Sequence, residues 1–391
     1  MHKIRTINNI ASKGLELFPS EDFDVGSYVS DPEAILVRSQ KLSADDVTPM
    51  LRAVGRAGAG VNNIPVSAYT EEGIVIFNTP GANANAVKEL VMAALLLSAR
   101  DIIGGIDYVR NLTDISDERE LNTIVEANKK DYGGQELKGK TLGVLGLGAI
   151  GSMVAEMALQ MDINVLGYDP ALSVDAAWRI SRRVQKMENM QSLLAHSDIV
   201  TLHVPVLEST RHMINNESLS NFKDGAVLLN FSREEIIDHQ ALGDSLDSGK
   251  ISQYISDFPA LSLLGKAGVI AIPHLGASTR EAEENCAIMV CKQILDFLRN
   301  GNIKNSVNFP DLSLERGDGY RIAIVNQNVP TILGSVLSIL ADRNINVIDM
   351  LNKSRDHVAY NLIDIETRPQ RDLVVEIADI KGVINVRVFD E

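Results

Sequence analysis

Two side chains in this sequence stand where buried apolar runs end, which is where chemistry is easiest to build. Arg233 leaves the run AVLLN through Phe231 and Ser232. A guanidinium there can bind a carboxylate bidentately and polarise an adjacent carbonyl, although pairing with Glu234 or Glu235 remains an open reading of the motif alone. His274 stands in PHLGAST, between a short apolar run and a long helical pattern. Its imidazole titrates near neutrality and suits proton exchange with an alcohol. A third stretch, VGRAGAGVNN from Val54 to Asn63, exposes backbone N–H groups that can form an anion nest, or simply turns the chain.

The run TLGVLGLGAIG from Thr141 to Gly151 reads as the cradle of a dinucleotide. The apolar run, the spacing Gly146-x-Gly148-x-x-Gly151 and the helical pattern after it read as strand, tight turn and helix. Gly146 allows the turn, Gly148 lets a pyrophosphate approach the backbone, and Gly151 lets helix and strand lie close. The helix N-terminus adds free N–H groups and partial positive charge. Asp169 ends a second apolar run 18 positions beyond Gly151. A carboxylate there accepts hydrogen bonds from a ribose 2′-hydroxyl and repels a 2′-phosphate, so NAD rather than NADP is the expected cofactor. His203, in THVP, is expected to line the nicotinamide side rather than to act in catalysis.

The elements that must position these residues fall into three blocks. Strands at 34–39, 50–58 and 73–80 alternate with helices, and a packed helix follows from Ala84 to Arg100. The polar segment Asp101 to Lys138 reads as a connection between domains. From Thr141 six strands with helical spacers are expected: Thr141–Leu145, Asn164–Tyr168, Ile199–His203, Val227–Asn230, Ser252–Phe258 and Val269–Ile272. That is the count of a doubly wound parallel sheet. A long helix runs from Thr279 to Leu298, and Asn300 to Gly319 reads as a linker. Beyond it, strand, helix, two strands, helix and strand make a ferredoxin-like βαββαβ unit, expected to be autonomous.

Composition narrows the partners. The chain has 391 residues, 23% of them charged and 45% hydrophobic, so several globular domains are expected. A formal net charge of −15 argues against a general nucleic-acid or anionic-membrane binder. An anionic substrate must therefore meet local arginines or lysines. Cys286 and Cys291, five apart, suit neither a zinc knuckle nor a redox pair and read as core; no metal site is expected. The polar N-terminus and the short apolar runs give no sign of a leader or membrane span, so a cytoplasmic setting is expected.

Taken in order, VGRAGAGVNNIP, GLGAIG with Asp169, HSDIVTLHVP, NFSR and PHLGAST resemble the NAD-dependent D-2-hydroxyacid dehydrogenases. The C-terminal unit is similar to an ACT domain, a module that binds amino acids at domain interfaces. The resemblance implies an α/β fold: a split substrate-binding domain at 1–97 and 279–305, a Rossmann-type NAD domain at 98–278, a linker at 306–318 and an ACT domain at 319–391. It implies NAD-dependent oxidation of 3-phospho-D-glycerate to its 2-oxo acid, feeding serine synthesis. Arg233 would hold the substrate carboxylate and carbonyl, and His274 would take the hydroxyl proton. Gly146, Gly148, Ala149, Ile150, Gly151, Asp169, His203, Val204, Pro205, Phe231, Ser232, Asp257, Gly276 and Ala277 would face the cofactor. Arg38 and Ser39 would meet the substrate phosphate, with Arg56, Ala57 and Gly58 in the carboxylate-facing loop. Lys129 or Lys130 would reach a partner subunit's site in a homo-oligomer.

This chain also departs from the family pattern. Where the family carries a histidine-orienting glutamate, it has Leu261, which implies an imidazole without its acidic partner and a lower pKa than in a paired site. Glu234 stands where glycine is common. In the ACT-like unit Asn326, Asn328 and Asn346 are the implied contacts for an effector, L-serine, while Thr331 replaces a glycine. Two alternatives stay open: a dehydrogenase for an unphosphorylated 2-hydroxy acid, and an NAD-sensing binding protein on the same scaffold.

Overall fold

The computed structural model describes residues 1–389, so Asp390 and Glu391 of the expected C-terminal unit lie outside the described residues. It divides into two compact units, 1–83 with 280–391, and 84–279. The break falls earlier than position 97. Helix Ala84–Ala99 packs Val87, Val91, Ala94 and Leu95 into the same apolar cluster as Leu142, Val154 and Leu229, so it belongs with the glycine turn.

In the second unit seven parallel strands run in the order Val269–Ala271, Ile251–Ser256, Ala226–Asn230, Ile199–Leu202, Thr141–Leu145, Asn164–Tyr168 and Gln185–Lys186. The sequence order reverses between Thr141–Leu145 and Ile199–Leu202, which is the switch point of a doubly wound sheet, and ligands bind beyond the strand ends there. The central strands read as continuous apolar runs because both faces are covered. Gln185–Lys186 is an additional edge strand, too short and too exposed to leave an apolar signature. The polar connection forms two helices, Ile102–Arg110 and Glu118–Asn128, with no buried residue in either.

The first unit holds a five-stranded parallel sheet, with His2–Ile7 and Phe23–Gly26 added to the three expected strands. Helix Arg280–Asn300 packs on it and buries Cys286 and Cys291 as free thiols. The C-terminal strands form an antiparallel sheet of ferredoxin-like order, Val347–Arg355, Val358–Ile365, Tyr320–Gln327 and Val383–Phe389. One face packs on its own helices through Ile322, Ile324, Val336 and Ile377.

The expected autonomy of this C-terminal module is corrected by the core. Ala323, Val325, Tyr360, Leu362 and Phe389, on the other sheet face, share one cluster with Phe77, Val290, Phe297 and Ile4. Nor is 306–318 a free linker. Phe309 and Leu312 are fully buried, Ile303 and Leu312 pair in a bridge, and the Asn308 side chain bonds the backbone of Ile74 and Ile76. Asparagine, proline and serine there build a fitted strap rather than a hinge.

Candidate active site

The glycine turn is shaped by close backbone approach. Gly146 has φ +88°, and a Cβ there would stand 2.5 Å from the His203 carbonyl oxygen. A Cβ on Gly151 would collide with the Gly146 carbonyl, so strand and helix can meet only through glycine. Gly148, by contrast, faces open space, and helix Ala149–Gln160 begins without a side-chain cap. Its first N–H groups are therefore free for an external acceptor.

Asp169 is held at the next strand end. Its carboxylate accepts from the N–H of Leu147 at 2.8 Å and of Ala171 at 2.9 Å. Beside it opens a cleft of about 620 Å³ lined by Leu147, Tyr168, Pro170, Val174 and Trp178. An anion-accepting helix start, a fixed carboxylate and an apolar slot fit the phosphates, ribose and adenine of a dinucleotide. Trp178, 84% exposed on the rim, carried no periodicity in the sequence that would have marked it.

At the far side of the switch point the strand ends carry Asn230, Asp257 and His274. Asn230 is fully buried; its Nδ2 donates to the Arg233 carbonyl and its Oδ1 accepts from the Ser232 N–H. The Ser232 hydroxyl donates to the Val204 carbonyl. This clamp turns the chain so that Arg233 leaves the sheet exposed, with Nη1 on the Ser232 carbonyl at 2.7 Å. Among the described residues neither Glu234 nor Glu235 pairs with it, and the guanidinium keeps donors for a ligand.

His274 lies at φ +52°, its ring exposed and 4.9 Å from the ring of Phe258. Among the described residues its ring nitrogens have no hydrogen-bond partner, and Leu261 is 91% exposed. Asp257 is buried instead beneath the loop and accepts from the N–H of Leu275 at 2.6 Å and of Gly276 at 2.7 Å. Burial raises its carboxyl pKa, opposed by those two amides and by His274. The His203 Nε2 meets the Thr201 hydroxyl at 3.0 Å, and burial drives its pKa down to about 3, so the ring is neutral.

In the first unit, Arg56 donates from Nε to the Arg38 carbonyl at 3.1 Å, which puts the two arginines side by side. Gly58, at φ +152°, lies against the Arg56 guanidinium where a Cβ would collide with it. Arg38 forms an ion pair with Glu283, a residue the sequence did not mark. Ser39 is exposed and Ala57 buried.

Of the three asparagines in the C-terminal module, Asn326 points inward: its amide donates to the Gln327 carbonyl and its oxygen accepts from Asn361. Asn328 and Asn346 are exposed. Lys129, just past helix Glu118–Asn128, pairs with Glu126 of that helix.

A doubly wound sheet with a dinucleotide cradle at its switch point, and an arginine and a histidine after two strands on the same side of that point, defines an α/β oxidoreductase. The family model for the NAD-binding domain of D-isomer specific 2-hydroxyacid dehydrogenases matches residues 103–276. D-3-phosphoglycerate dehydrogenase of Haemophilus influenzae is 31% identical over 376 residues, covering 92% of this chain and 87% of that protein. Hydroxypyruvate reductase of Thermotoga maritima is 35% identical over 288 residues, covering 70% and 87%. The NAD+-bound 3-phosphoglycerate dehydrogenase structure from Entamoeba histolytica superposes with a TM-score of 0.62 at 25% identity, over 80% of this chain and 99% of that one. The chain belongs to the D-2-hydroxyacid dehydrogenase family and carries its NAD-binding domain. Among the described residues no helix is long and apolar enough to cross a membrane.

Proposed function

We propose that the chain oxidises 3-phospho-D-glycerate to 3-phosphonooxypyruvate. The observation that carries this reading is the reach of the match to the Haemophilus phosphoglycerate dehydrogenase. At 92% of the chain it must take in part of the C-terminal antiparallel sheet, whereas the hydroxypyruvate reductase match covers 70%. Bound NAD supplies the hydride acceptor. Arg233 holds the substrate carboxylate and polarises the C2 oxygen, and His274, whose ring nitrogens bond no other described residue, takes the hydroxyl proton. Arg38 and Arg56 receive the phosphate and carboxylate ends.

The exposed Ile102, Ile103, Ile106 and Val109 on a helix that buries nothing of its own support self-association through that arm. Asn328 and Asn346 remain the effector contacts for L-serine, while the Asn326 side chain is already engaged.

A second reading, reduction of an unphosphorylated 2-oxo acid, is favoured by one observation: Arg38 already holds a carboxylate, that of Glu283. The test is NADH oxidation with 3-phosphonooxypyruvate, hydroxypyruvate, glyoxylate and 2-oxoglutarate. The highest kcat/KM is expected for the phosphorylated acid, and a higher value for hydroxypyruvate selects the second reading. His274→Asn should lower kcat by roughly 10²–10⁴ with either substrate.

A further inference from the structure

The ion pair between Arg38 Nη2 and Glu283 Oε1 is 2.7 Å long, with the two side chains 39% and 41% exposed. Half-exposed pairs of this kind contribute little to stability, so fold maintenance is a weak reason for it. Its position is more informative. Glu283 lies in the first turn of helix Arg280–Asn300, and Cys286 follows on the same helix. Burial raises the Cys286 thiol pKa; Arg56 and Arg38 pull it down, and Glu283 pushes it further up. Glu283 pairs with the Arg38 guanidinium and Arg56 bonds the Arg38 carbonyl, so the three charged residues adjoin one another.

The two guanidiniums bring two positive charges and Glu283 removes one. A phosphate monoester carries about −1.5 to −2 at neutral pH. To reach Arg38 it must displace a carboxylate from the same donors and then lie beside that carboxylate's charge. An acid with no phosphate meets neither obstacle.

We propose that Glu283 is a specificity-determining residue: an internal anion that occupies Arg38 and must release it before a phosphorylated substrate can bind. This rests on the reading of Arg38 as the phosphate contact. The carboxylate suppresses capture of the phosphorylated acid and of inorganic phosphate, and it narrows the preference over unphosphorylated acids.

The test is Glu283→Gln, with Glu283→Ala alongside because glutamine can still bond Arg38. The ratio of kcat/KM for 3-phosphonooxypyruvate to that for hydroxypyruvate is expected to rise about tenfold, the scale of one partly screened charge interaction. Inorganic phosphate, titrated by thermal shift on the cofactor-free protein, should bind the variants about tenfold more tightly, and Arg38→Ala in either variant should remove that gain. A ratio that falls or stays within about twofold in both variants, with phosphate affinity unchanged, overturns the proposal. Tighter phosphate binding in a protein whose wild type does not turn over 3-phosphonooxypyruvate would uphold the role of Glu283 while removing the functional reading.

Discussion

The backbone N–H of His274 donates to the Asp257 carbonyl at 3.1 Å, and the Asp257 carboxylate takes the next two N–H groups of the same loop. A histidine at φ +52° has left the ordinary backbone basins and persists because these three bonds over-determine it. With no carboxylate on the ring among the described residues, Asp257 orients His274 through the main chain. Asp257→Ala would orphan the Leu275 and Gly276 amides and loosen the ring's placement. We expect kcat to fall about 10²-fold, the cost of a misplaced reacting group, with faster hydrogen exchange at both amides. Asp257→Asn keeps an acceptor and should fall between. Wild-type kcat in the alanine variant would show that the clamp positions nothing.

His203 makes the fold sensitive to acid. Its folded pKa is about 3 against an ordinary value of 6.5, so the unfolded chain binds the proton more readily. The neutral ring's contribution is complete above pH 6.5 and is lost as pH falls towards about 3. The slope is at most about 1.4 kcal/mol per pH unit, less where water reaches this partly exposed ring. Urea unfolding of the cofactor-free protein between those limits should show this decline, and His203→Asn should flatten it. A variant with the wild-type slope would place the titrating group elsewhere.

Trp178 is the single tryptophan of the chain and stands on the rim of the cleft beside Asp169. NADH absorbs where indole emits, so saturation with NADH should quench the protein's fluorescence by energy transfer. Trp178→Ala should weaken NADH binding about tenfold by calorimetry, as expected for loss of a base-stacking surface. Unchanged emission at saturating NADH would place the adenine outside this cleft.

The glycine turn and the doubly wound sheet were legible because each follows from a local pattern: period, punctuation and the types at strand ends. Asn326 was also legible in principle. Strand alternation puts it on the face of Ile322 and Ile324, towards the helices, and its amide accordingly bonds Asn361. The strap at 306–318 was hidden because Asn308, Pro310 and its serines resemble a linker, while its anchors Phe309 and Leu312 have no period. His2–Ile7 was missed because only Ile4 among its residues is buried. Glu283 has no sequence signature at all, since it acquires its meaning from Arg38, far away in the chain, and Trp178 is a lone aromatic outside any periodic run.

Thr331 sits at φ +83°, at the N-terminus of helix Ile332–Asp342, and its hydroxyl makes no cap bond. A β-branched residue in that region is strained by about 1–3 kcal/mol, whereas glycine is not. Glycine's larger unfolded-state entropy offsets part of the gain. Thr331→Gly is therefore expected to stabilise the protein by about 1 kcal/mol in urea unfolding. A loss of stability would mean that the exposed threonine makes contacts worth more than the strain.

Arg321 is fully buried and its guanidinium is fully subscribed. Nε and Nη2 donate to the two oxygens of Asp364, each at 2.7 Å, while Nη1 reaches the carbonyls of Asn300 and Leu314 and Nη2 that of Glu315. Five bonds match the five donors of the side chain. They join the C-terminal sheet to the end of the long helix and to the strap, beneath an apolar cluster that is already continuous. Arg321→Met would leave Asp364 buried without its partner and three carbonyls unpaired, and should cost roughly 3–5 kcal/mol. Adding Asp364→Leu should recover part of that loss, because the uncompensated charge is then gone. The shared core also predicts that the C-terminal module unfolds together with the N-terminal sheet. A fluorescent label in the module and hydrogen exchange in the strand Ala34–Val37 should report the same midpoint. An earlier, separate transition for the module, or a cost below about 1 kcal/mol for Arg321→Met, would show that the two parts are only in contact and do not fold as one body.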